Sequence, residues 1–314
     1  MSALEVRDLV VRYGKSAAVD GVSFDIAPGE TLGLVGESGS GKSTIGKALL
    51  GLHPPAAGTV RLLGKDVTRL SLTRRSDLRV VFQDPYSSLN PQRTIGQTLV
   101  EPLRQLGVRG AAAVGKARAA LESVGLPGDA VDRYPSQFSG GQRQRVAIAR
   151  ALVCDPKVVV LDEPVSALDL STQAQVLNLL ADLRDQRGLS FLFIAHDLGV
   201  VRFLAQRVVV LYRGQVMETG PVESVTRAPR HPYTVALTAA APVPRPAEQA
   251  ARRAAREALG IGTAGAAQAG ANGCPFVPRC PLATDLCRTE RPPLREVGDS
   301  LTACHHAEHV ATLQ

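Results

Sequence analysis

Residues 4 to 35 alternate between apolar and polar positions in short runs, which is the period of a β-strand. Three turn-type dipeptides interrupt the alternation: Tyr13-Gly14, Asp20-Gly21 and Pro28-Gly29. The pattern predicts hairpin-rich β structure with a turn at each dipeptide. The final run, Thr31 to Val35, reads as a short apolar strand, and helical spacing follows from Ser43 to Leu50.

The rest of the first 240 residues alternates strand-like and helical patterns. Strands are predicted at 58–63, 78–82, 157–161, 190–194, 207–212 and 215–219. Helical spacing covers 91–152, clearest at 111–124, and returns at 172–187. A helix between two apolar strands is the βαβ arrangement of a parallel sheet. The last two strands flank Arg213-Gly214 and predict a hairpin.

Composition limits the class of protein. The chain has 314 residues and a formal net charge of +7, from 36 Lys and Arg against 29 Asp and Glu, without a basic tail or block. This argues against an electrostatic arm for nucleic acid. No apolar stretch approaches the ~18 residues of a membrane-spanning helix. The N-terminus lacks the pattern of a secretion signal, so we expect a cytoplasmic protein, in which structural disulfides are rare.

Residues Gly36 to Ser43 read G-x-x-x-x-G-K-S, the phosphate-binding loop of nucleoside triphosphatases. Glycines at 36, 39 and 41 let backbone N–H groups approach the phosphates, because they have no Cβ. Lys42 adds a positive charge, and the Ser43 hydroxyl is placed to ligate Mg²⁺. A strand before the loop and a helix after it are the required setting, since a helix N-terminus favours an anion. The loop predicts nucleotide binding.

Two acids follow an apolar strand more than 100 residues later. Asp162 and Glu163 end the run Val158–Leu161. Ligands gather at the carboxyl ends of parallel strands, so Asp162 is placed to hold Mg²⁺, directly or through water. Glu163 is placed to orient or deprotonate an attacking water.

A second anion-binding pattern lies at Ser139-Gly140-Gly141-Gln142, ahead of a helical stretch that ends at Leu152. A hydroxyl and glycine N–H groups at a helix N-terminus suit a phosphate. One γ-phosphate has no use for two such loops from one subunit. We therefore expect this loop to complete the site of another subunit.

The order and spacing of these motifs, over residues 1 to about 240, resemble the ATPases of ABC transporters. The motifs are Gly36–Ser43, Gln83, Ser139–Gln142, Asp162-Glu163, Ser166–Asp169 and His196. The resemblance implies a head-to-tail dimer with two ATP molecules at its interface. Lys42 and Ser43 of one subunit would face Ser139 and Gly141 of the other.

The resemblance also assigns roles to single residues. Gln83 links Mg²⁺ to the membrane partner, Asp169 signals across the dimer, and His196 contacts the γ-phosphate. Tyr13 stacks on adenine, although its spacing alone fits a half-buried strand tyrosine equally well. The expected ATP-binding set is Tyr13, Gly36, Ser38, Gly39, Ser40, Gly41, Lys42, Ser43, Thr44, Ser139, Gly140, Gly141 and Gln142. The expected catalytic set is Lys42, Gln83, Glu163 and His196, and the expected Mg²⁺ set is Ser43, Gln83 and Asp162.

The implied fold is α/β: a P-loop ATPase core with an antiparallel β subdomain, a helical insertion and a small Cys-rich C-terminal extension. We expect the ATPase domain at 1–240 with its helical subdomain at about 85–155, a linker at 241–273 and the extension at 274–314. Glu248 to Leu259 could form a short helix, and the Gly/Ala-rich run 260–273 is expected to be flexible.

Narrower features resemble the ATPases of oligopeptide and dipeptide importers. They are residues 83–91, 173–180 and 231–233 and the cysteine-bearing tail, whereas residues 248–272 are Ala/Gly-rich where prolines would be expected. The segment Val165–Asp169 resembles one of the two paralogous ATPases of such importers, which implies a different partner ATPase, with a homodimer as the alternative. Two transmembrane permease subunits, an extracellular substrate-binding protein and a place at the cytoplasmic face of the membrane are implied as well.

Other functions stay open at this point. The chain could serve a nickel, sugar or other importer, or an exporter, because cargo contacts lie on other chains. A soluble ABC ATPase acting on nucleic acid or ribosomes is the rival from another class. Many of those have two cassettes or a long coiled-coil insertion, and this chain has neither.

Four of the five cysteines lie in the last 41 residues, spaced C-x₅-C-x₆-C-x₁₆-C. Cys274, Cys280, Cys287 and Cys304 could hold zinc or a [4Fe–4S] cluster. Structural zinc usually pairs its cysteines more closely, so a cluster is favoured. The neighbouring histidines 305 and 306 are alternative ligands, and a disulfide pair remains open. Cys154 is expected to be a buried thiol.

Overall fold

The computed structural model describes residues 1–70, 76–84, 88–240 and 272–313, with backbone only for 311–313. The predicted linker lies outside the described residues except for its last two positions. The described chain forms two compact units, each discontinuous in sequence. Unit 1 comprises Met1–Leu9, Ser23–Thr31 and Gly46–Ile194, and unit 2 comprises Val10–Val22, Leu32–Ile45 and Ala195–Gln314.

The strands are β1 Leu4–Tyr13, β2 Ser16–Ile26, β3 Thr31–Val35, β4 Ala57–Leu62, β5 Lys65–Asp66, β6 Leu78–Val81, β7 Val158–Asp162, β8 Ser190–Ala195, β9 Arg207–Tyr212, β10 Gln215–Pro221, β11 Arg295–Val297 and β12 Ser300–Thr302. The helices are α1 Lys42–Leu49, α2 Ile95–Gln105, α3 Gly110–Ser123, α4 Gly140–Leu152, α5 Leu170–Arg187, α6 Leu198–Leu204, α7 Val222–Arg227, α8 Pro232–Ala240 and α9 Asp285–Thr289. Short 3₁₀ turns lie at Gly128–Asp132, Pro135–Gln137, Val277–Arg279 and Ala307–Leu313.

Unit 1 is built on parallel strands in the order β8-β7-β6. The middle strand β7 is an aliphatic run that is buried up to Leu161. Parallel strands covered on both faces have this composition, because no polar face is needed. The helices α2, α3 and α4 contact one another and form the predicted helical insertion. The short strands β4 and β5 pair antiparallel in the same unit.

Unit 2 holds a mixed sheet in the order β11-β12-β10-β9-β3. β3 pairs in parallel with β9, and β9 pairs antiparallel with β10. The turn between them is Arg213-Gly214, where both residues have positive φ, 46° and 79°. Such pairs suit the tight hairpin turn whose twist matches the strands. The predicted hairpin is therefore confirmed, and β12 extends the sheet by pairing with β10.

The predicted turn at Asp20-Gly21 is wrong. Both residues lie within β2, where Gly21 adopts a positive φ of 71°. The Asp20 N–H donates to the carbonyl of Gly214 at 2.9 Å, so an irregular strand continues through the glycine. Pro28-Gly29 lies between β2 and β3, and Tyr13-Gly14 lies where β1 ends, both as predicted, and the α/β class with antiparallel strands is confirmed.

No helix in the described part of the chain combines the length and the apolar character needed to cross a membrane.

Candidate active site

The phosphate-binding loop connects β3 to α1 in unit 2. Strand β3 is wholly buried, and α1 begins at Lys42. The Lys42 side chain is buried, and its Nζ donates to the carbonyl oxygens of Gly36 at 2.7 Å and Glu37 at 3.0 Å. Ser38 and Ser43 are exposed. The loop is thus folded around its lysine, with its outer face open.

The residues of the loop fit a polyphosphate. Gly41 has a φ of 107°, and a Cβ there would lie 2.5 Å from the carbonyl oxygen of Ala18. Only glycine fits this backbone, which keeps the N–H groups at the helix N-terminus accessible. The Ser40 Oγ is buried without a protein partner among the described residues. A buried polar atom of this kind favours a ligand that pairs with it.

Tyr13 of the predicted ATP-binding set and His196 of the predicted catalytic set also lie in unit 2. Tyr13 ends β1 with 47% of its surface exposed, so its ring is accessible. His196 follows β8 and is exposed, and Asp197 next to it caps α6 by accepting from the Gly199 N–H at 2.7 Å. Their contacts with adenine and the γ-phosphate stay predictions.

The predicted acids lie at the carboxyl end of β7 in unit 1. Asp162 is the last residue of the strand, and Glu163 follows it. The Glu163 carboxylate accepts a hydrogen bond from Gln83 Nε2 at 3.1 Å. Gln83 Nε2 also lies 3.5 Å from the Ser166 Oγ, and that hydroxyl donates to the Glu163 carbonyl at 3.1 Å. The structure therefore brings Gln83, Glu163 and Ser166 together.

The backbone of Glu163 is strained. Its φ is +47°, which is uncommon for a residue with a side chain. The Glu163 N–H donates to the carbonyl of Ile194 at 3.0 Å, and this bond to β8 holds the conformation. Strain of this kind concentrates at functional sites, where surrounding structure fixes it.

Ser139 is the N-cap of α4. Its Oγ accepts from the Gln142 N–H at 3.3 Å, and the Gln142 side chain accepts from the Ser139 N–H at 3.0 Å. This reciprocal capping box fixes the start of the helix. Ser139 is exposed at that N-terminus, with Gly140 and Gly141 partly exposed beside it. An exposed, capped helix N-terminus matches a site completed by a second subunit.

The N-terminus of α4 is closely packed against the start of α5. A Cβ on Gly141 would collide with Thr172 Cγ2. Thr172 donates from its N–H and its hydroxyl to the Asp169 carboxylate, at 3.0 Å and 2.8 Å. These hydrogen bonds, from the backbone first and the side chain second, lower the pKa of Asp169. Asp169 is therefore an ionised N-cap, which suits the helix dipole.

The phosphate loop with Tyr13 and His196 lies in unit 2, whereas the acids, Gln83 and Ser139 lie in unit 1. The roles assigned to each set stay predictions. Hydroxyl and carboxylate oxygens from Ser43 and Asp162 are ligands that Mg²⁺ prefers. The carboxylate of Glu163 is held by Gln83 and is of the right type to orient a water.

Sequence reasoning missed residues that support the phosphate loop. The Glu37 side chain forms a bidentate ion pair with Arg279, at 2.8 and 2.9 Å. The Glu37 N–H donates to the Tyr233 hydroxyl at 2.8 Å. These partners are 196 and 242 positions away in the chain, so no local pattern indicates them.

The C-terminal segment surrounds a small cavity with its cysteines. The cavity is lined by His231, Pro232, Cys274, Val277, Cys280, Cys287, Pro292, Cys304, His305 and His306. All five cysteines of the chain are free thiols, so the disulfide alternative is wrong. Cys154 is partly exposed and not buried as predicted, because it follows the last turn of α4.

No group of three His, Cys, Asp or Glu side chains in the described ranges is arranged to hold a metal ion. Burial, with the neighbouring cysteine charges adding to it, raises the pKa of Cys280 to about 12 and of Cys304 to about 11. Cys280 and Cys304 are therefore protonated thiols in the cavity that the four cysteines share. A metal would have to displace these protons, because thiolate is the ligand. The iron–sulfur cluster stays a prediction.

Comparison with known proteins agrees with this geometry. Residues 19–166 match the ABC transporter family, and residues 217–287 match the C-terminal region of oligopeptide/dipeptide transporters. A protein of Brucella ovis named for peptide import and ATP binding is 48% identical over 303 residues, covering 94% of each chain. One of Brucella abortus with the same kind of name is 48% identical over 298 residues, covering 92% of this chain and 86% of its own.

Solved structures share the fold. The ADP conformation of MJ1267, an ATP-binding cassette of an ABC transporter, matches with a TM-score of 0.67 and 28% identity over 76% of this chain and 98% of its own. The dimeric post-hydrolysis structure of the ATP-binding cassette MJ0796, bound to ADP and phosphate, matches with a TM-score of 0.61 and 30% identity over 70% of this chain and 98% of its own.

Fold and site together define the class of protein, which is an ATP-binding cassette. It has the strand–loop–helix phosphate site and a strand, β7, that ends in Asp162 and is followed by Glu163. The chain belongs to the ABC-transporter ATP-binding family, in the group that carries the oligopeptide/dipeptide transporter C-terminal region. It is an ATP-hydrolysing transporter subunit, which implies ATP with Mg²⁺, a dimer of cassettes and membrane-spanning partners.

Proposed function

We propose that this chain hydrolyses ATP to drive uptake of oligopeptides or dipeptides through separate membrane subunits. The match of residues 217–287 to the oligopeptide/dipeptide region carries the cargo class. The 48% identity to relatives named for peptide import, over 94% of both chains, supports it. The predicted rivals, transport of nickel or sugar, export, and action on nucleic acid or ribosomes, have no comparable support.

The residues of this chain divide the work of hydrolysis. Lys42 and the loop N–H groups bind the phosphates, and Ser43 with Asp162 would hold Mg²⁺, which neutralises phosphate charge when bound. Glu163 orients or deprotonates the water, and its carboxylate is held by the hydrogen bond from Gln83 at 3.1 Å. His196 contacts the γ-phosphate. Since the transition state is mostly charge to be positioned, these electrostatic contacts lower the barrier.

A second cassette completes each site. The capped N-terminus of α4 offers the N–H groups of Gly140 and Gly141 and the Ser139 hydroxyl, which still has its proton to donate. These groups would bind the γ-phosphate held by the partner subunit. The segment Val165–Asp169 favours a paralogous ATPase as that partner, and a homodimer is the alternative.

The remaining partners follow from the cargo. Two transmembrane permease subunits carry the peptide, and an extracellular substrate-binding protein delivers it. The chain itself works at the cytoplasmic face of the membrane as a peripheral subunit. Copurification from membranes with permease subunits is the expected outcome, and recovery with ribosomes or nucleic acid would contradict it.

The cargo is tested by reconstituting the complete transporter with its cognate receptor in vesicles. Peptides of two to five residues, nickel ions and a sugar are supplied in parallel, and ATP hydrolysis and uptake are measured. Peptide alone should stimulate both. Stimulation by nickel or sugar without peptide would contradict the cargo, and the Glu163→Gln transporter serves as the inactive control.

We also propose that Cys274, Cys280, Cys287 and Cys304 hold a [4Fe–4S] cluster, with zinc as the alternative. Their common cavity supports this, because four cysteines that line one space suit either group once their thiols lose their protons. A segment of about 40 residues is too small for its own core and is commonly stabilised by a metal or covalent link.

The cluster is tested by anaerobic purification with iron, sulfide and zinc measured per chain. Cys280→Ser should lose the metal, whereas Cys154→Ser is the matched control and should keep it. Stoichiometric zinc without iron would replace the cluster by the alternative. Metal loss in Cys154→Ser but not in Cys280→Ser would overturn the ligand set.

A further inference from the structure

Glu37, the second residue of the phosphate loop, is held at three points within unit 2. Its N–H donates to the Tyr233 hydroxyl, its carbonyl accepts from Lys42 Nζ, and its carboxylate binds Arg279. Two of these partners lie outside the loop, in the C-terminal third of the chain. The conformation of the first half of the loop thus depends on residues far from the motif.

Of the three contacts of Glu37, the one with Arg279 is of the strongest type, because it is a bidentate hydrogen-bonded pair between two charged groups. Both oxygens of the Glu37 carboxylate accept from the guanidinium, at 2.8 and 2.9 Å. Bidentate pairs of this type fix the orientation of the carboxylate as well as its position. The Arg279 side chain is only 20% exposed, and that of Glu37 42%, so water screens the pair incompletely.

An aromatic cluster, defined as Tyr212, Tyr233 and Phe276, fixes Arg279 in turn. Tyr212 ends β9 and its ring lies 4.6 Å from that of Tyr233, and the buried Phe276 lies 5.4 Å from both. The Arg279 guanidinium lies 5.5 Å from the Phe276 ring and 6.0 Å from the Tyr212 ring. Cation–π contact and packing therefore hold the Arg279 guanidinium in the orientation in which it binds Glu37.

The charge of Glu37 gives this contact a consequence for the nucleotide. A carboxylate in a phosphate-binding loop repels a bound triphosphate, since both are negative. The guanidinium neutralises it and draws it towards the C-terminal segment. The loop backbone is held at the same time, and its N–H groups are thereby preorganised for the phosphates.

We propose that Arg279, from the cysteine-bearing C-terminal segment, is a positioning residue of the phosphate loop and acts on ATP through Glu37. Arg279 directly precedes Cys280, so the segment that carries the cysteines also supports the nucleotide site. The proposal rests on ATP binding at this loop and on neither the transported cargo nor the nature of the metal.

The experiment uses the full-length chain and measures the Kd for Mg²⁺-ATP, then KM and kcat in the complete transporter. Arg279→Ala should raise the Kd about fivefold, the effect of a partly exposed bidentate pair, while kcat stays within twofold. Arg279→Lys keeps the charge but not the fork and should lie between Arg279→Ala and the wild type.

Arg291→Ala is the matched control. Arg291 lies in the same segment and is 43% exposed, and it binds Asp20 at 2.9 Å, which is not a residue of the phosphate loop. Its loss removes a contact of the segment without touching Glu37. ATP affinity should stay at the wild-type value. Tm, measured for every variant, shows whether the segment remains folded, and metal content shows whether any metal it holds is retained.

Adding Glu37→Gln to Arg279→Ala gives the sharpest result, because it removes the carboxylate that Arg279 neutralises. ATP affinity should recover by at least half of the loss, and a contact that only attaches the segment would give no recovery. Unchanged affinity in Arg279→Ala, equal loss in Arg291→Ala, or no recovery in the double variant would each overturn the proposal. If Arg279→Ala does not fold, Arg279→Lys with and without Glu37→Gln decides it.

Discussion

Glu163 combines a strained backbone with a carboxylate fixed by a neighbouring amide. Its φ of +47° and its hydrogen bond from Gln83 at 3.1 Å determine where the carboxylate lies. Glu163→Gln keeps the size of the side chain but removes its ability to take a proton. Turnover should fall by roughly 10²-fold or more, because a general base is lost. Affinity for ATP should stay near the wild-type value, measured by equilibrium binding.

Glu122→Gln is a suitable control for that variant, since Glu122 is an exposed carboxylate at the end of α3. It should hydrolyse ATP normally. Hydrolysis by Glu163→Gln at near the wild-type rate would assign the water to another residue.

Gly141 is required by packing rather than by backbone conformation. Gly141→Ala places a methyl group on Thr172 Cγ2, and overpacking of this kind costs about 1–3 kcal/mol. Because Thr172 anchors Asp169, we expect both a lower Tm and slower ATP hydrolysis. Thr172→Ser removes the obstructing methyl group and keeps both hydrogen bonds to Asp169, so the double variant should recover. Failure of Thr172→Ser to restore Tm would show that another contact limits this position.

At the scale of elements, local signals predicted the core helices and strands well. Helix α4 begins at Gly140 with Ser139 as its N-cap, where the sequence predicted a helix N-terminus, and β7 is the buried aliphatic run that ends at Asp162. Strands β11 and β12 were not predicted. Each has three residues, and they exist through pairing with one another and with β10, about 80 positions earlier. A pattern within three residues holds too little information for such a contact.

Glu218 links β10 to the elements that follow it. Its carboxylate is buried and accepts from the N–H groups of Arg230 and His231 at 2.9 and 3.1 Å and from the Ser300 hydroxyl at 3.1 Å. Burial is the main influence and raises the pKa of Glu218. With the folded pKa above the unfolded one, the unfolded state releases its proton first. The free energy of unfolding should therefore fall as pH rises from about 4.5 to the folded pKa.

Glu218→Gln checks this by urea unfolding between pH 4 and pH 8. The donors to Glu218 use both oxygens of its carboxylate, whereas the amide offers one acceptor oxygen. The free energy of unfolding of the variant should therefore be lower by about 1–3 kcal/mol. The pH-dependent decline should disappear with the carboxylate. Glu223→Gln is the control of opposite sign, because hydrogen bonds from Arg202 lower the pKa of that exposed carboxylate. An unchanged decline in Glu218→Gln would assign it to another group.

For the whole molecule, the motifs were sufficient to predict the class of protein, and the ATP-site residues that they assign stay predictions. Glycine loops, a lysine and acids after a strand are constrained by phosphate and Mg²⁺ chemistry, so their spacing is informative. The contact between Glu37 and Arg279 has no such constraint and depends on how the C-terminal segment folds within unit 2. The metal state of the cysteines is also beyond a sequence pattern, since thiol spacing is compatible with more than one group.

The last prediction concerns the site shared between two copies. Lys42→Ala disables the phosphate loop of its own subunit, whereas Ser139→Arg blocks the site of the partner subunit. Homodimers of either variant should be inactive. In a mixed dimer, the loop of the Ser139→Arg subunit meets the intact Ser139 of the other chain, so one site remains complete. Equal mixing should restore roughly a quarter of the wild-type sites, measured as ATP hydrolysis after the dimers exchange.

Gln142→Glu in place of Ser139→Arg provides a milder matched test, because Gln142 lies at the same exposed helix N-terminus and the added charge repels phosphate there. If the chain pairs only with a paralogous ATPase, the two substitutions are placed one in each subunit and compared with both in the same subunit. If each site is made by two chains, one substitution in each subunit damages a single site and leaves the other active, whereas both substitutions in the same subunit damage both sites. If each site is made within one chain, both substitutions in the same subunit leave the other subunit active, whereas one in each subunit abolishes activity. The geometry of α4, whose capped N-terminus is exposed, favours the shared site.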